Sequence, residues 1–524
     1  MIKLGRAVLL AAILVAAAGC AAAGKRTVAP VVPAVDWKAR IAEADALFTA
    51  GHYLGLAGAL RTYGEALAVP GLDPAVAEKY IRAAIALEMR GKDIGVLTSG
   101  VPPEASSLIA ADGALARYAG WIELVNGLSS KIKGRPGLDP AGGRTFEAQL
   151  DWAGTRVPVL DRELEAAAGT DDLAAALRLA LRADFGFKFT DKLEALSYVD
   201  LHPESRFVAF QAAMSPAFDF DRLEALIKRD PGFAEVDCFL GEAALLAGKL
   251  LTAERHYLAV QAKIPESLSV LISLAKVAFQ MEETETCLEW NEKALALLPT
   301  YRDALLGKGL ALGYLGRNEE ALAVLGRLLE LGTYYMGEGH FWSAWNFDEL
   351  GRYEEARKAI ERAKVFLVDV VDVHTLSGII AYKQGRLDDA EKDLLQALRL
   401  NSSEADAAYH LGRLYADRKD WLNSAIYFAG AALAYEDKER GLEDKVKEIE
   451  ASEMAPERKA RLVVKKKVQI LSTQLTKATC QYNGAAGYHN IGSFERALEL
   501  ARQAAANPAF AEKAADLIKM IRER

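Results

Sequence analysis

Cysteine is scarce in this chain: 524 residues hold four, Cys20, Cys238, Cys287 and Cys480. The last three are an odd number spread widely along the sequence, which excludes a disulfide framework as the source of stability. Positive charge is not in excess either. Lys and Arg number 64 against 72 Asp and Glu, a net charge of −8, so nucleic acid is excluded as the main partner. No apolar run, the 12 residues of Ala7–Ala18 included, is long enough to span a bilayer, which takes roughly 20 residues. Chemistry is missing as well. The seven histidines are His52, His202, His256, His340, His374, His410 and His489. None shares a helix face with another His or a Cys at metal-ligand spacing, and HExxH, CxxC, P-loop and G-x-S-x-G patterns are absent. No enzyme activity, metal or cofactor is expected. Gly337-Glu338-Gly339-His340 looks glycine-rich, but its place between two periodic segments makes it a loop and helix start.

What is present starts at the N-terminus. Lys3 and Arg6 precede a 12-residue apolar run, Ala7 to Ala18, with the length of a secretory leader rather than a membrane span. The run ends in Ala17-Ala18-Gly19-Cys20, which resembles the lipobox of bacterial lipoproteins. That resemblance implies cleavage before Cys20, lipidation of Cys20, and a cell-envelope address. With no acidic residue after Cys20, the expected place is the outer membrane, facing the periplasm. Ala21-Ala22-Ala23 leaves open an ordinary cleaved signal. Residues 20–36, with two prolines and few large apolar groups, read as the lipidated Cys and a flexible tether.

The centre of the chain carries a beat of 34. Small residues recur at Gly241, Ala275, Gly309, Ala344, Gly378 and Gly412. Such a period marks stacked copies of one supersecondary unit. From Glu235 to Pro265, Leu240-Gly241 sits on one amphipathic helix, Gly248 breaks it, Ala253 and Tyr257 sit on a second, and Pro265 closes the unit. Gly241 and Ala253 are small because two helices cross closely there. Cys287 falls where other units carry Ala, so it reads as a small buried apolar group.

These features resemble the tetratricopeptide repeat, with its W-x2-L-G-x2-Y…A-x3-F…P pattern on two helices. The match recurs in Gly351-Arg352-Tyr353-Glu354-Glu355-Ala356, Gly385-Arg386-Leu387-Asp388-Asp389-Ala390 and Gly492-Ser493-Phe494-Glu495-Arg496-Ala497. The expected fold is all-α, a right-handed α-solenoid of stacked helix-turn-helix units with a less regular helical N-terminal domain. The expected organisation is a signal peptide over 1–19 and the tether over 20–36. Diverged repeat-like helices follow over 37–95, with turns at Gly51 and Gly91. Then come an irregular helical domain over 96–200 and the repeat array over 201–435. Residues 436–479 read as a charged long helix or linker, and 480–524 as a last unit with a capping helix. The basic stretch around Lys465-Lys466-Lys467 reads either as a patch for an anionic lipid or polymer or as one face of a solvated helix.

In this family the first helix of each unit lines the concave side. The resemblance therefore implies a groove lined by Glu242, Lys276, Phe279, Gln280, Tyr314, Phe341, Trp345, Asp348, Glu349, Tyr382, Lys383, Tyr409 and Arg413, with Asp417 beside them. Aromatic anchors among polar groups suit a peptide segment or helix. Phe341 and Trp345 read equally as groove or as packing between units, and Trp342 and Phe347 as core. The expected function is a membrane-anchored envelope scaffold that binds a protein or peptide partner. The alternative is a periplasmic lipoprotein that binds a glycan or a transporter substrate.

Overall fold

A computed structural model describes residues 35–128, 154–184, 192–214 and 220–523, apart from 72, 99, 231, 333 and 334. Among the described residues the secondary structure is helical, with one isolated bridge between Val96 and Ser267. The N-terminal part holds α1 (Trp37–Ala50), α2 (Tyr53–Leu67), α3 (Ala75–Asp93), α4 (Pro103–Ala111), α5 (Arg117–Gly127), α6 (Val157–Ala168), α7 (Asp172–Asp184), α8 (Lys192–Leu201), α9 (Arg206–Met214) and α10 (Phe220–Arg229). The array continues with α11 (Glu235–Leu246), α12 (Leu250–Lys263), α13 (Leu268–Gln280), α14 (Thr284–Leu297), α15 (Arg302–Tyr314), α16 (Asn318–Glu330), α17 (Met336–Glu349), α18 (Tyr353–Phe366), α19 (Val371–Lys383), α20 (Leu387–Leu400) and α21 (Ala405–Asp417). It closes with two long helices, α22 (Trp421–Ala451) and α23 (Pro456–Asn490), then α24 (Phe494–Ala505) and α25 (Ala511–Arg522).

The turn inside each unit is built the same way. One residue takes the left-handed conformation at Gly248, Glu282, Gly316, Gly351, Gly385, Lys419 and Gly492. Seven residues before each stands the small residue of the first helix, which lets the second helix close in. A Cβ on Gly309 would lie 2.7 Å from Leu325, on Gly378 2.5 Å from Leu394, and on Gly412 2.8 Å from Phe428. Each helix of the array packs chiefly on the next in sequence and on the next but one, as a stack of repeats requires. Gly337 and Gly339 prove to be packing residues in the first turn of α17. A Cβ there would meet Leu367 at 2.7 Å and Leu329 at 2.9 Å. Cys238, Cys287 and Cys480 are buried thiols outside any disulfide, and burial pushes the Cys287 thiol up to about 11.

The N-terminal part shares one core, from Ala44 and Leu56 through Tyr118 and Trp121 to Leu177 and Phe207. Gly51 is a left-handed turn residue (φ 72°) as expected from its sequence, but Gly91 is not. Gly91 lies inside α3, where a Cβ would meet Thr98 at 2.5 Å, and the left-handed turn falls later, at Gly95. Good helix formers carry α3 past the glycine. Arg90 of the same helix is fully buried, its guanidinium 3.7 Å from the Phe210 ring centroid.

The charged segment also differs from a single long helix over 436–479. Ser452 turns to an extended conformation (ψ 167°), and Pro456, which cannot continue a preceding helix, starts a second one. The result is a hairpin of helices of 31 and 35 residues, roughly 47 and 53 Å long at about 1.5 Å per residue. Glu439 ties its arms together through Gln474 (2.6 Å) and Lys477. Its tip reaches the first two turns of the array. Arg458 donates to Glu254 (2.7 and 3.0 Å) and to Glu283. Lys466 and Gln469 both donate to the Glu282 carboxylate, Gln469 at 2.9 Å, and Lys465 Nζ donates to the Glu282 carbonyl at 2.6 Å. Burial pushes the Glu282 carboxyl up, but the bonds from Lys466 and Gln469 outweigh it and hold the group below its usual range. A cleft of about 320 Å³ remains between tip and turns, lined by Leu250, Leu251, Gln280, Met281, Met454 and Leu462 among others.

Candidate functional site

The repeated turn gives each unit a common register. Positions two, three, six and ten before the left-handed residue are those that the resemblance assigns to the groove. On α13, Lys276 and Gln280 are exposed and Phe279 is half-buried; on α15, Tyr314 is 54% exposed. The Tyr314 ring stands 5.5 Å from Phe279, 5.6 Å from Trp342 and 5.7 Å from Trp345. Phe341 joins edge-on to Trp342 at 5.2 Å. Phe279, Tyr314, Trp342 and Trp345 thus form one aromatic ladder across three units. Phe341, Trp345 and Phe347 are half-buried and pack against the core of the fourth unit, around Ala344 and Ile360. Phe341 and Trp345 thus pack between units, as one of the two readings of the sequence had it, while each keeps part of its ring in contact with the ladder. Trp342 leans on the preceding unit's core while its ring meets Tyr314.

A second cluster lies on α19 and α21. Tyr382 and Tyr409 flank the His410 ring at 5.9 and 5.2 Å, and the Arg413 guanidinium lies 4.9 Å from Tyr382 and 5.8 Å from Tyr409. Tyr382 Oη donates to Asp417 at 2.6 Å. Burial, with Arg413 next, lowers the His410 imidazole to about 4, so the ring is neutral at physiological pH. Its Nδ1 is buried with no hydrogen-bond partner. With His410 neutral, Arg413 is the cation presented on these rings, next to the Asp417 carboxylate that Tyr382 bonds.

One ion pair links the two clusters. Lys383 Nζ donates to Asp348 Oδ2 at 2.7 Å, and Asp348 is buried, at 6% exposure. Asp348 therefore differs from an open groove carboxylate: Lys383 covers it, and its other oxygen has no partner. Glu242, at the first-unit end of the strip, and Glu349, on the fourth unit, are exposed. Sequence reasoning assigned Tyr409 but passed over His410 next to it, because a groove rule counts positions outward and His410 is reached from the side. Cys20 lies outside the described residues. Among the described residues, no group of three or more His, Cys, Asp or Glu could hold a metal ion, and no helix is long and apolar enough to cross a membrane.

The tetratricopeptide-repeat family model matches residues 306–366 and 375–438. A search of curated proteins finds no match. Solved structures with a similar arrangement include a tetratricopeptide repeat protein from Parabacteroides merdae ATCC 43184, 16% identical, with 52% of this chain and 96% of that chain covered and a TM-score of 0.35. PilF of Pseudomonas aeruginosa is 19% identical, over 37% of this chain and 89% of that one, with a TM-score of 0.34. YrrB, described as having an unusual peptide-binding site, is 20% identical over 34% of this chain and 91% of that one, with a TM-score of 0.29. The two matched stretches cover the third to sixth turns of the register set by the left-handed residues, so the chain carries tetratricopeptide repeats there, within an all-α solenoid of helical repeats.

Proposed function

We propose that this chain is a lipid-anchored scaffold of the bacterial cell envelope that binds a peptide segment of a partner protein along its repeat array. The observation that carries the binding surface is the ladder of Phe279, Tyr314, Trp342 and Trp345, continued by Tyr382, Tyr409 and Arg413. Large, rigid rings with exposed faces give contact area at little conformational cost, and Arg and aromatic side chains dominate the affinity of protein interfaces. Tetratricopeptide repeats are protein-interaction units, and this strip is open rather than a closed apolar chamber, which favours a peptide over a glycan or a small transported molecule. The anchor rests on the leader and Ala17-Ala18-Gly19-Cys20, and the outer membrane on the absence of an acid after Cys20.

Two measurements test this. Cross-linking capture from native membranes should yield a specific envelope protein with the natural chain and lose it with Tyr314→Ala plus Tyr382→Ala. Unchanged capture by that pair sinks the groove. Separately, Cys20→Ser should move the mature chain from the membrane fraction to the soluble one, and continued membrane association sinks the anchor.

A further inference from the structure

Glu282 stands where five of the seven array turns have glycine, and it takes the same left-handed conformation (φ 60°). A side chain there is strained. Its carboxylate and carbonyl are both used, by Lys466, Gln469 and Lys465 of α23. With Arg458 on Glu254 and Glu283, the hairpin is fixed beside the first two units. Phe279 and Gln280, the first rung of the strip, are three and two residues before Glu282. Gln280 lines the same cleft as Leu462 and Lys466.

On α23 the side away from α22 is apolar and uncovered. Val464, Val468, Leu471 and Leu475 are 62, 61, 65 and 48% exposed. Their spacing of four, three and four puts them on one helix face. Seven residues on, the same face reaches Tyr482. Tyr482 is ten before Gly492, as Tyr409 is ten before Lys419, so the stripe prolongs the groove line of α23. Residues 456–477 carry Arg458, Lys459, Arg461, Lys465, Lys466, Lys467 and Lys477 against Glu457 alone, in a protein of net charge −8. Arg461 and Lys467 are exposed beside the stripe. A bilayer is flat and meets edges and convex faces, not a line that continues a concave one.

We propose that α23 is a second wall of the partner site, whose stripe Val464–Val468–Leu471–Leu475 receives the apolar face of an acidic amphipathic helix lying between it and the aromatic ladder. This rests on the groove reading above and names the class of partner. The apolar face fills the stripe, and acids at its margins meet the basic edge, which steers association and fixes orientation.

The test uses the full mature chain and a fluorescein-labelled synthetic helix with Leu at positions 1, 5, 8 and 12 and Glu on its flanks. A Lys-flanked counterpart, vesicles of phosphatidylglycerol and phosphatidylethanolamine, and sedimentation equilibrium run beside it. The acidic helix should bind saturably, and the Lys-flanked helix at least about tenfold more weakly. Val468→Asp plus Leu471→Asp, both exposed, should weaken binding about tenfold or more with unchanged helicity. Glu282→Gly, which removes the carboxylate that holds Lys466 and Gln469 and loosens the hairpin there, should weaken it in the same direction. No binding of the acidic helix overturns the inference. Loss with Tyr314→Ala plus Tyr382→Ala alone overturns the α23 wall and leaves the groove; loss with the α23 pair alone puts the helix on the stripe without the ladder, and overturns the groove and with it the shared site. Vesicle binding or self-association that the α23 pair abolishes assigns the stripe to a membrane or a second copy, and overturns it.

Discussion

Arg458 Nη1 lies 2.7 Å from Glu254 Oε2 although 204 residues separate the two, and the same guanidinium grips Glu283. Arg458→Ala leaves those two carboxylates beside the hairpin tip, their side chains 20 and 8% exposed. Removing one partner of a partly buried pair is costly, here about 1–3 kcal/mol after allowing for the exposed share. Lower melting and faster amide exchange over residues 456–470 should follow, the latter because the tip frays. An unchanged exchange rate there would show that the tip is held by something else.

Glu282 and Lys419 share one backbone strain and differ in use. Lys419, also at φ 60°, is exposed. Lys419→Gly should therefore raise stability by about 1 kcal/mol. Glu282→Gly relieves the same strain but removes the anchor for Lys466 and Gln469, so its gain should vanish. Urea melts of the two variants decide this; an equal gain in both contradicts it.

Close helix crossing predicts opposite effects for two glycines. Gly378→Ala should cost about 1–3 kcal/mol, since the new methyl meets Leu394 at 2.5 Å. Gly326, inside α16 with nothing within 4 Å, should gain about 0.5–1 kcal/mol on replacement by Ala. Thermal melting of each variant measures both.

His410 makes the array acid-sensitive. Its imidazole titrates near 4 when folded against an ordinary value of 6.5. A histidine depressed in this way must gain a proton on unfolding, so stability is full above about 6.5 and falls as pH drops towards 4. The loss at pH 4.5 is about 2.5 kcal/mol. His410→Phe should flatten that window. A natural protein with the same melting temperature at pH 4.5 and 7 contradicts the burial.

Groove variants need sorting by burial before binding is measured. Tyr314→Ala, at a ring 54% exposed, should cost under about 1 kcal/mol. Trp345→Ala removes a half-buried ring packed on the fourth unit's core and should cost about 2–4 kcal/mol. Binding lost in the tyrosine variant at unchanged melting reports on contact; the same loss in the tryptophan variant mixes contact with unfolding.

The repeat architecture was legible because its determinants are local. Gly309, Gly378 and Gly412 recur at a fixed distance from their turns, and each close contact is made with the helix that follows directly, at Leu325, Leu394 and Phe428. The aromatic strip was legible in part. Tyr314, Tyr382 and Tyr409 followed from register, but the covering of Asp348 by Lys383 depends on how two neighbouring units meet. Gly91 misled because a turn glycine and a packing glycine are the same letter.

The sequence by itself determined the helices, their 34-residue beat and which face of each is small, since every one of these is a choice between adjacent segments. Tertiary structure alone decided that the charged segment folds into a hairpin and comes back to Glu254, Glu282 and Glu283. Many exposed Lys, Arg and Glu side chains offer near-equal pairings in water, where one such pair contributes little. Only the lengths of α22 and α23, and the place to which the stacked units carry the first two turns, select the partners that are made.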